Sequence, residues 1–203
     1  MPFKKLHPRL LESLELQSIE TPTPFEKRSI PVIKSGANVF CFAADGSGKT
    51  TTLILTTLQK LKGEAVGNAP RAVVLVENKE KVLALYDAFL KFTKYNTLRV
   101  YASYEQLHID IQKSEIYMGI DILITTPKTL QNLFLTNGVS ISELKICSID
   151  DADFLSKKSD TTSMIVMAES IKKCQFVIYA QKSHPQLKRL ENHFMEHSKL
   201  VQQ

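Results

Sequence analysis

Residues 39–50 read VFCFAADGSGKT: four apolar residues, a turn-rich segment, then Gly46-Ser47-Gly48-Lys49-Thr50 at the head of a helical pattern. A strand, a glycine turn and a helix in that order make a phosphate cradle. The glycines let backbone N–H groups converge at a helix N-terminus, where the helix dipole favours an anion. Lys49 is then placed to reach the outer phosphates of a nucleotide, and the Thr50 hydroxyl to hold Mg²⁺. Gly46, Ser47, Gly48, Lys49 and Thr50 are therefore candidate nucleotide-binding residues. Asp45 puts a negative charge at the tip of the loop. Facing the phosphates it opposes them, by up to about 4 kcal/mol at 4 Å and an effective dielectric of 20. Facing solvent it costs little.

Outward from this loop, short β-branched runs recur at 39–43, 72–76, 98–102, 121–125, 145–149 and 176–180. Helical periodicity is clearest at 50–61 and 79–94, where apolar residues return every three or four positions. Continuous apolar strands alternating with helices predict an α/β fold with a mostly parallel sheet covered on both faces. Ligands of such sheets bind at the carboxyl ends of the strands. Residues 62–70, KGEAVGNAP, read as a loop, and residues 1–35 as a helical preface to a domain over 36–203.

The chain has 203 residues, enough for one substantial core and short for two. A hydrophobic content of 43% and a charged content of 23% fit a soluble globular domain. No apolar run approaches the roughly 18–20 residues of a membrane span. The start, MPFKKLHPRLLESLEL, lacks the apolar centre of a signal peptide. A formal charge of +5 points mildly to an anionic partner. Cys41, Cys147 and Cys174 lie in or beside apolar runs without a paired spacing, so buried free thiols and a cytoplasmic location are expected.

Further segments fall in a telling order. They are TPTPFEKRSIP (21–31) behind an upstream Phe3, the loop itself, VLVENKE (74–80), DILITTPKTL (121–130), IDDAD (149–153) and VIYAQ (177–181). In that order and spacing the chain resembles the first RecA-like domain of the DEAD-box RNA helicases, over nearly its whole length. The resemblance implies an ATP- and Mg²⁺-binding domain of an RNA-stimulated ATPase. It implies that Glu26 stands where a glutamine reads adenine, and that Asp150 holds Mg²⁺ together with Thr50. Asp151 replaces the glutamate that activates water, and Lys49, Asp150 and Asp151 are the expected catalytic set. Asn78, Lys79, Thr126 and Lys128 fall on segments that grip the backbone of single-stranded or structured RNA without reading bases. The family's second RecA-like domain, which supplies arginines to the phosphoryl group, is an expected partner in cis or in trans.

The departures from the family pattern set the expectations. As a carboxylate Glu26 has no proton for adenine N7; as a plain first-turn residue it would be a solvated helix charge. Asp151 is shorter than glutamate by one carbon–carbon bond, about 1.5 Å. Tyr179 and Gln181 replace small hydroxyl residues, and Tyr179 reads as an amphipathic strand end. Ala102 and Ser103 stand for a glycine pair, and Thr129 for an arginine. The chain is expected to end after a helix around 184–197, as the first domain would. These features predict weak ATP–Mg²⁺ binding and a contribution to RNA-stimulated hydrolysis beside a second domain. The competing expectation is a degenerate, non-enzymatic nucleotide- or RNA-binding module. A small-molecule kinase would account for the loop but not for the segments at 21–31 and 149–153.

Overall fold

The computed structural model describes residues 3–156, 158–171 and 173–203. Helices α1 (Pro8–Leu16) and α2 (Pro24–Lys34) precede strand β1 (Val39–Phe42), which feeds α3 (Lys49–Leu61). The chain continues as β2 (Ala72–Leu75), α4 (Lys79–Thr93), β3 (Val100–Ser103), α5 (Ile109–Met118), β4 (Ile122–Thr125) and α6 (Pro127–Leu135). It closes with β5 (Ile146–Ile149), α7 (Lys158–Glu169), β6 (Gln175–Ala180), α8 (Pro185–Glu191) and β7 (Lys199–Gln202). The strands form one seven-stranded sheet in the order β3-β4-β2-β5-β6-β1-β7, and every pairing is parallel.

Alternate residues of each inner strand enter opposite layers, so the apolar runs are continuous where they are covered on both sides. Val39, Cys41, Val74, Ile124, Val177 and Tyr179 join the core under α1–α4. Phe40, Phe42, Leu75, Leu123, Ile149 and Ile178 join the core under α5–α8. The six expected strands are all present, the third beginning two residues later and ending one residue later than expected. Asp121 is fully buried just before β4 and ties the start of β3 to it. Its carboxylate accepts from Arg71 at 2.6 Å, from Arg99 Nε at 2.9 Å and from the Arg99 backbone at 3.0 Å. The Arg99 carbonyl in turn accepts from the backbone N–H groups of Asp121 at 2.9 Å and Ile122 at 3.1 Å, and the paired register begins at Val100. Burial opposes the charge on Asp121, but the donors from Arg99, Arg71 and Val66 outweigh it and lower its pKa.

Three expectations need correcting. The helix expected at 184–197 stops at Glu191, where Asn192 caps it, and the residues beyond turn back. A seventh strand, β7, then pairs with β1 at the sheet edge; its burial pattern is mostly exposed, so it carried no apolar run to announce it. Tyr179 is fully buried rather than amphipathic, because β6 lies between β5 and β1 and its alternate residues have nowhere to go but the core. Cys41 and Cys147 are buried free thiols, while Cys174 is half-buried. Among the described residues no helix is long and apolar enough to cross a membrane.

Candidate functional site

Parallel strands deliver all their C-terminal ends to one edge, and the predicted site residues lie along it. Between β1 and α3 the loop turns on Gly46 (φ 73°) and Gly48 (φ 101°), left-handed conformations that glycine adopts without strain. Gly48 is also pressed from behind, since a Cβ there would stand 2.7 Å from Glu26 Oε1. Lys49 begins α3 with its side chain 7% exposed, and its Nζ donates to the Ala43 carbonyl at 2.7 Å and to Asp45 Oδ1 at 3.1 Å. The Ser47 hydroxyl is buried without a protein partner.

Helix α2 holds this loop in shape. Thr23 caps α2, and its hydroxyl donates to the Ser47 carbonyl at 2.7 Å. Glu26 completes the capping box by accepting from the Thr23 backbone at 2.7 Å. It is 2% exposed, so the solvated helix charge is ruled out. Burial raises its pKa, against the lowering effect of the Thr23 hydrogen bonds.

At the end of β5, the backbone N–H of Asp150 donates to the Leu75 carbonyl at 2.9 Å, which fixes the carboxylate beside the loop. Its pKa is pushed up to about 6, first by burial and then by Asp151, with Lys49 and Lys81 pulling the other way. Asp151 follows in a left-handed conformation (φ 54°). Its Oδ2 accepts from Lys81 Nζ at 3.0 Å, and Lys81 pairs with Glu77 at 3.2 Å. A cavity of about 310 Å³ is lined by Asp45, Gly46, Gly48, Lys49, Thr50, Thr51, Asp150 and Asp151. The predicted loop residues and both motif carboxylates are thus brought together, while Glu26 and Ser47 support the loop from outside that lining. A second cavity of about 560 Å³ shares Asp151 and opens towards Lys81, Asp153 and Gln181.

The other half of the edge carries the remaining predicted residues. Asn78 caps α4 by accepting from the Lys81 backbone at 3.0 Å, and Lys79 Nζ lies 5.2 Å from the centre of the Tyr104 ring. Thr126 caps α6 by accepting from the Thr129 backbone at 3.2 Å, and its hydroxyl donates to Glu105 at 2.8 Å. Thr126 is 2% exposed, whereas Lys128 stands in solvent on a cleft of about 520 Å³ that Glu105 also lines.

A family model described as DEAD/DEAH box helicase matches residues 23–184. The chain belongs to the DEAD/DEAH box helicase family. A probable ATP-dependent RNA helicase ddx42 of Dictyostelium discoideum is 31% identical over 147 residues, 71% of this chain and 15% of that protein. A probable ATP-dependent RNA helicase DDX46 of Homo sapiens is 29% identical over 151 residues, 71% of this chain and 15% of that protein. The chain therefore spans a small part of the length of these curated relatives. Among solved structures, a hypothetical ATP-dependent RNA helicase from Sulfolobus tokodaii superposes with a TM-score of 0.84 at 17% identity, over 98% of this chain and 57% of that one. S. cerevisiae dbp5 bound to gle1 and ip6 gives 0.83 at 17% identity, over 98% and 50%. The fold is that of a DEAD-box N-terminal RecA-like domain.

Two residues that were not among the candidate site residues, Lys81 and Gln181, line the second cavity. Lys81 could have been noticed from its i,i+4 spacing to Glu77, the arrangement that pairs charges along a helix. Gln181 stands out in the sequence only as the replacement of a small hydroxyl residue, because its partners Asp45 and Asp153 are remote in sequence.

The Asp150 shift has a consequence for stability. Its folded pKa of about 6 lies above the ordinary 3.8, so the folded chain holds this proton more tightly than the unfolded chain. Stability therefore falls as pH rises through that window, by up to roughly 2–3 kcal/mol for a shift of this size. Asp150→Asn removes the charge. In urea denaturation the variant is expected to exceed the wild type in stability at pH 7.5, with the gap closing towards pH 4.

Proposed function

We propose that this chain binds a nucleoside triphosphate with Mg²⁺ through the β1–α3 loop and serves as the first half of an RNA-stimulated ATPase completed by a second RecA-like domain. The observation that carries this reading is the convergence of Lys49, Thr50, Asp150 and Asp151 on one cavity of about 310 Å³. The residues present fit the ligand. A buried lysine, an unpartnered buried Ser47 hydroxyl and two left-handed glycines form an anion cradle. Mg²⁺ is commonly held by one or two carboxylates and the nucleotide phosphates, so Asp150 and Thr50 suffice. Bound Mg²⁺ would neutralise phosphate charge and polarise the outer phosphoryl group. Lys49 orients the phosphates, the loop amides fix their position, and Asp151 is the carboxylate available to take a proton from water once Lys81 releases it.

In isothermal calorimetry, ATP–Mg²⁺ is expected to bind weakly, with a dissociation constant on the order of 0.1–1 mM, or about 4–5.5 kcal/mol of binding free energy. Lys49→Ala should abolish the signal. Equal titrations of the two proteins, or no heat from wild type in millimolar ATP, would refute the site.

For RNA, Asn78 and Thr126 serve as helix caps, which leaves Lys79, Lys128 and the α6 N-terminus to meet backbone phosphates. Glu105 stands among them and opposes an anion. Fluorescence anisotropy is expected to show weak, sequence-indifferent binding to single-stranded RNA that falls with salt, and a shallower salt slope for Lys128→Ala. Strong base preference without salt dependence would contradict this reading.

A second reading, a binding module that does not hydrolyse, is favoured by one observation. Asp151 is tied to Lys81 at 3.0 Å in a left-handed backbone, short of the reach a glutamate would have. Phosphate release separates the two readings. The isolated chain should hydrolyse ATP barely above background, and Asp151→Glu should change that little. Joined to a competent second domain, the chain should become RNA-stimulated, and Asp151→Glu should raise the rate by about tenfold or more, since misplacement of a reacting group can cost on the order of 100-fold. If neither protein becomes active when so joined, the binding module is correct.

A further inference from the structure

At the cavity that the nucleotide reading uses, Asp45 of its lining is bridged to Gln181 of the neighbouring cavity. Asp45 sends Oδ1 to Lys49 Nζ at 3.1 Å and accepts on Oδ2 from Gln181 Nε2 at 2.8 Å. Gln181 is itself fixed, because its backbone N–H donates to Asp153 Oδ2 at 3.0 Å at the end of β6. The base of the bridge is rigid as well, since the Ala43 backbone N–H donates to the Ala180 carbonyl at 3.1 Å. Lys49 is buried, and its inward donor goes to the Ala43 carbonyl at 2.7 Å. Its outward direction, the one open to an incoming anion, is filled by the chain's own carboxylate.

We propose that Gln181 is a positioning residue of the phosphate loop, holding the Asp45 carboxylate on Lys49 as an internal occupant that an incoming phosphate must displace. This rests on the nucleotide site proposed above and adds the regulation of that site. Asp45 is a one-charge substitute on a flexible stem, 73% exposed, so it is removable. A triphosphate carries more charge to the same ammonium and adds contacts to the loop amides. Displacement breaks the Gln181 contact, so occupancy of the loop is felt at the end of β6. By reciprocity, any contact that draws the Gln181 amide away from Asp45 tightens phosphate binding at Lys49. The two side chains are exposed and pack no core, so they can be changed without unfolding the chain.

The test uses the full chain, with inorganic tripolyphosphate and ATP–Mg²⁺ as probes and thermal melting as a check on folding. Asp45→Asn should tighten both ligands by about tenfold, the effect of removing one nearby like charge. Gln181→Ala frees Asp45 without removing its charge and should tighten them by about two- to fivefold, as for an exposed polar contact. In the Asp45→Asn background Gln181→Ala should change affinity less than about twofold, because its effect runs through the carboxylate. Tripolyphosphate added to wild type should also shift the Gln181 side-chain amide resonance. If wild type and Asp45→Asn bind alike while Lys49→Ala binds nothing, the latch is wrong and the nucleotide site stands. If Gln181→Ala has the same effect in both backgrounds, Gln181 does not act through Asp45 and the proposal fails. If Asp45→Asn binds neither probe at millimolar concentration, the nucleotide reading fails and takes the latch with it.

Discussion

When every strand of a sheet runs the same way, each connection must cross back over a face, and all C-terminal strand ends meet at one edge. That constraint organises this molecule. The crossovers bury both faces, which is why Val39–Phe42, Ala72–Leu75, Ile122–Thr125 and Ile146–Ile149 are covered along their whole length. The strand order then divides the edge in two. β1, β5 and β6 carry the glycine loop, the Asp150–Asp151 pair and Gln181, while β2, β3 and β4 carry the segments that hold Lys79, Tyr104 and Lys128. Leu75 pairs with both Thr125 and Ile149, so β2 joins the two halves through its own ladder.

The loop is preorganised from outside the sheet. A turn with two left-handed glycines has many conformations to lose, and α2 removes them through a hydrogen bond from Thr23 to Ser47 and the Glu26 side chain behind Gly48. The capping box serves two elements at once. It closes the start of α2, and it turns Glu26 inward, where its charge is costly and its shape is useful. Glutamine would keep the capping acceptor and carry no charge, so the carboxylate at residue 26 is stabilised by its backbone donor against burial.

Much of this was legible in the sequence because the chemistry is local. Gly46–Thr50 need one strand, one turn and one helix start in succession, and those are written contiguously. The inner strands announce themselves because two-sided burial leaves no polar alternation. What could not be read depends on neighbours distant in sequence. Tyr179 looks amphipathic in isolation and is fully buried because of where β6 lies. β7 is an edge strand held by β1, with a polar exposed pattern that no periodicity marks as a strand. The partners of Asp151 and Asp45 are 70 and 136 residues away, at Lys81 and Gln181. Asn78 and Thr126 read from the sequence as RNA-contact positions, and only geometry shows that their side chains are already engaged as helix caps.

A common logic links these engaged groups. Polar and charged groups half-removed from water need partners, and a site made for an anionic ligand has donors without acceptors when the ligand is away. Here the chain supplies the acceptors: Asp45 for Lys49, Asp151 for Lys81, Glu105 for Thr126. Each contact lowers the free energy of the ligand-free state, and a ligand gains only the difference between its own contacts and those it replaces. Three carboxylates therefore act in the same direction. On the proposed reading they leave the cradle and the edge geometry intact while raising the threshold an external phosphate would have to pass. These contacts are set mostly by groups exposed to solvent, so added salt weakens them.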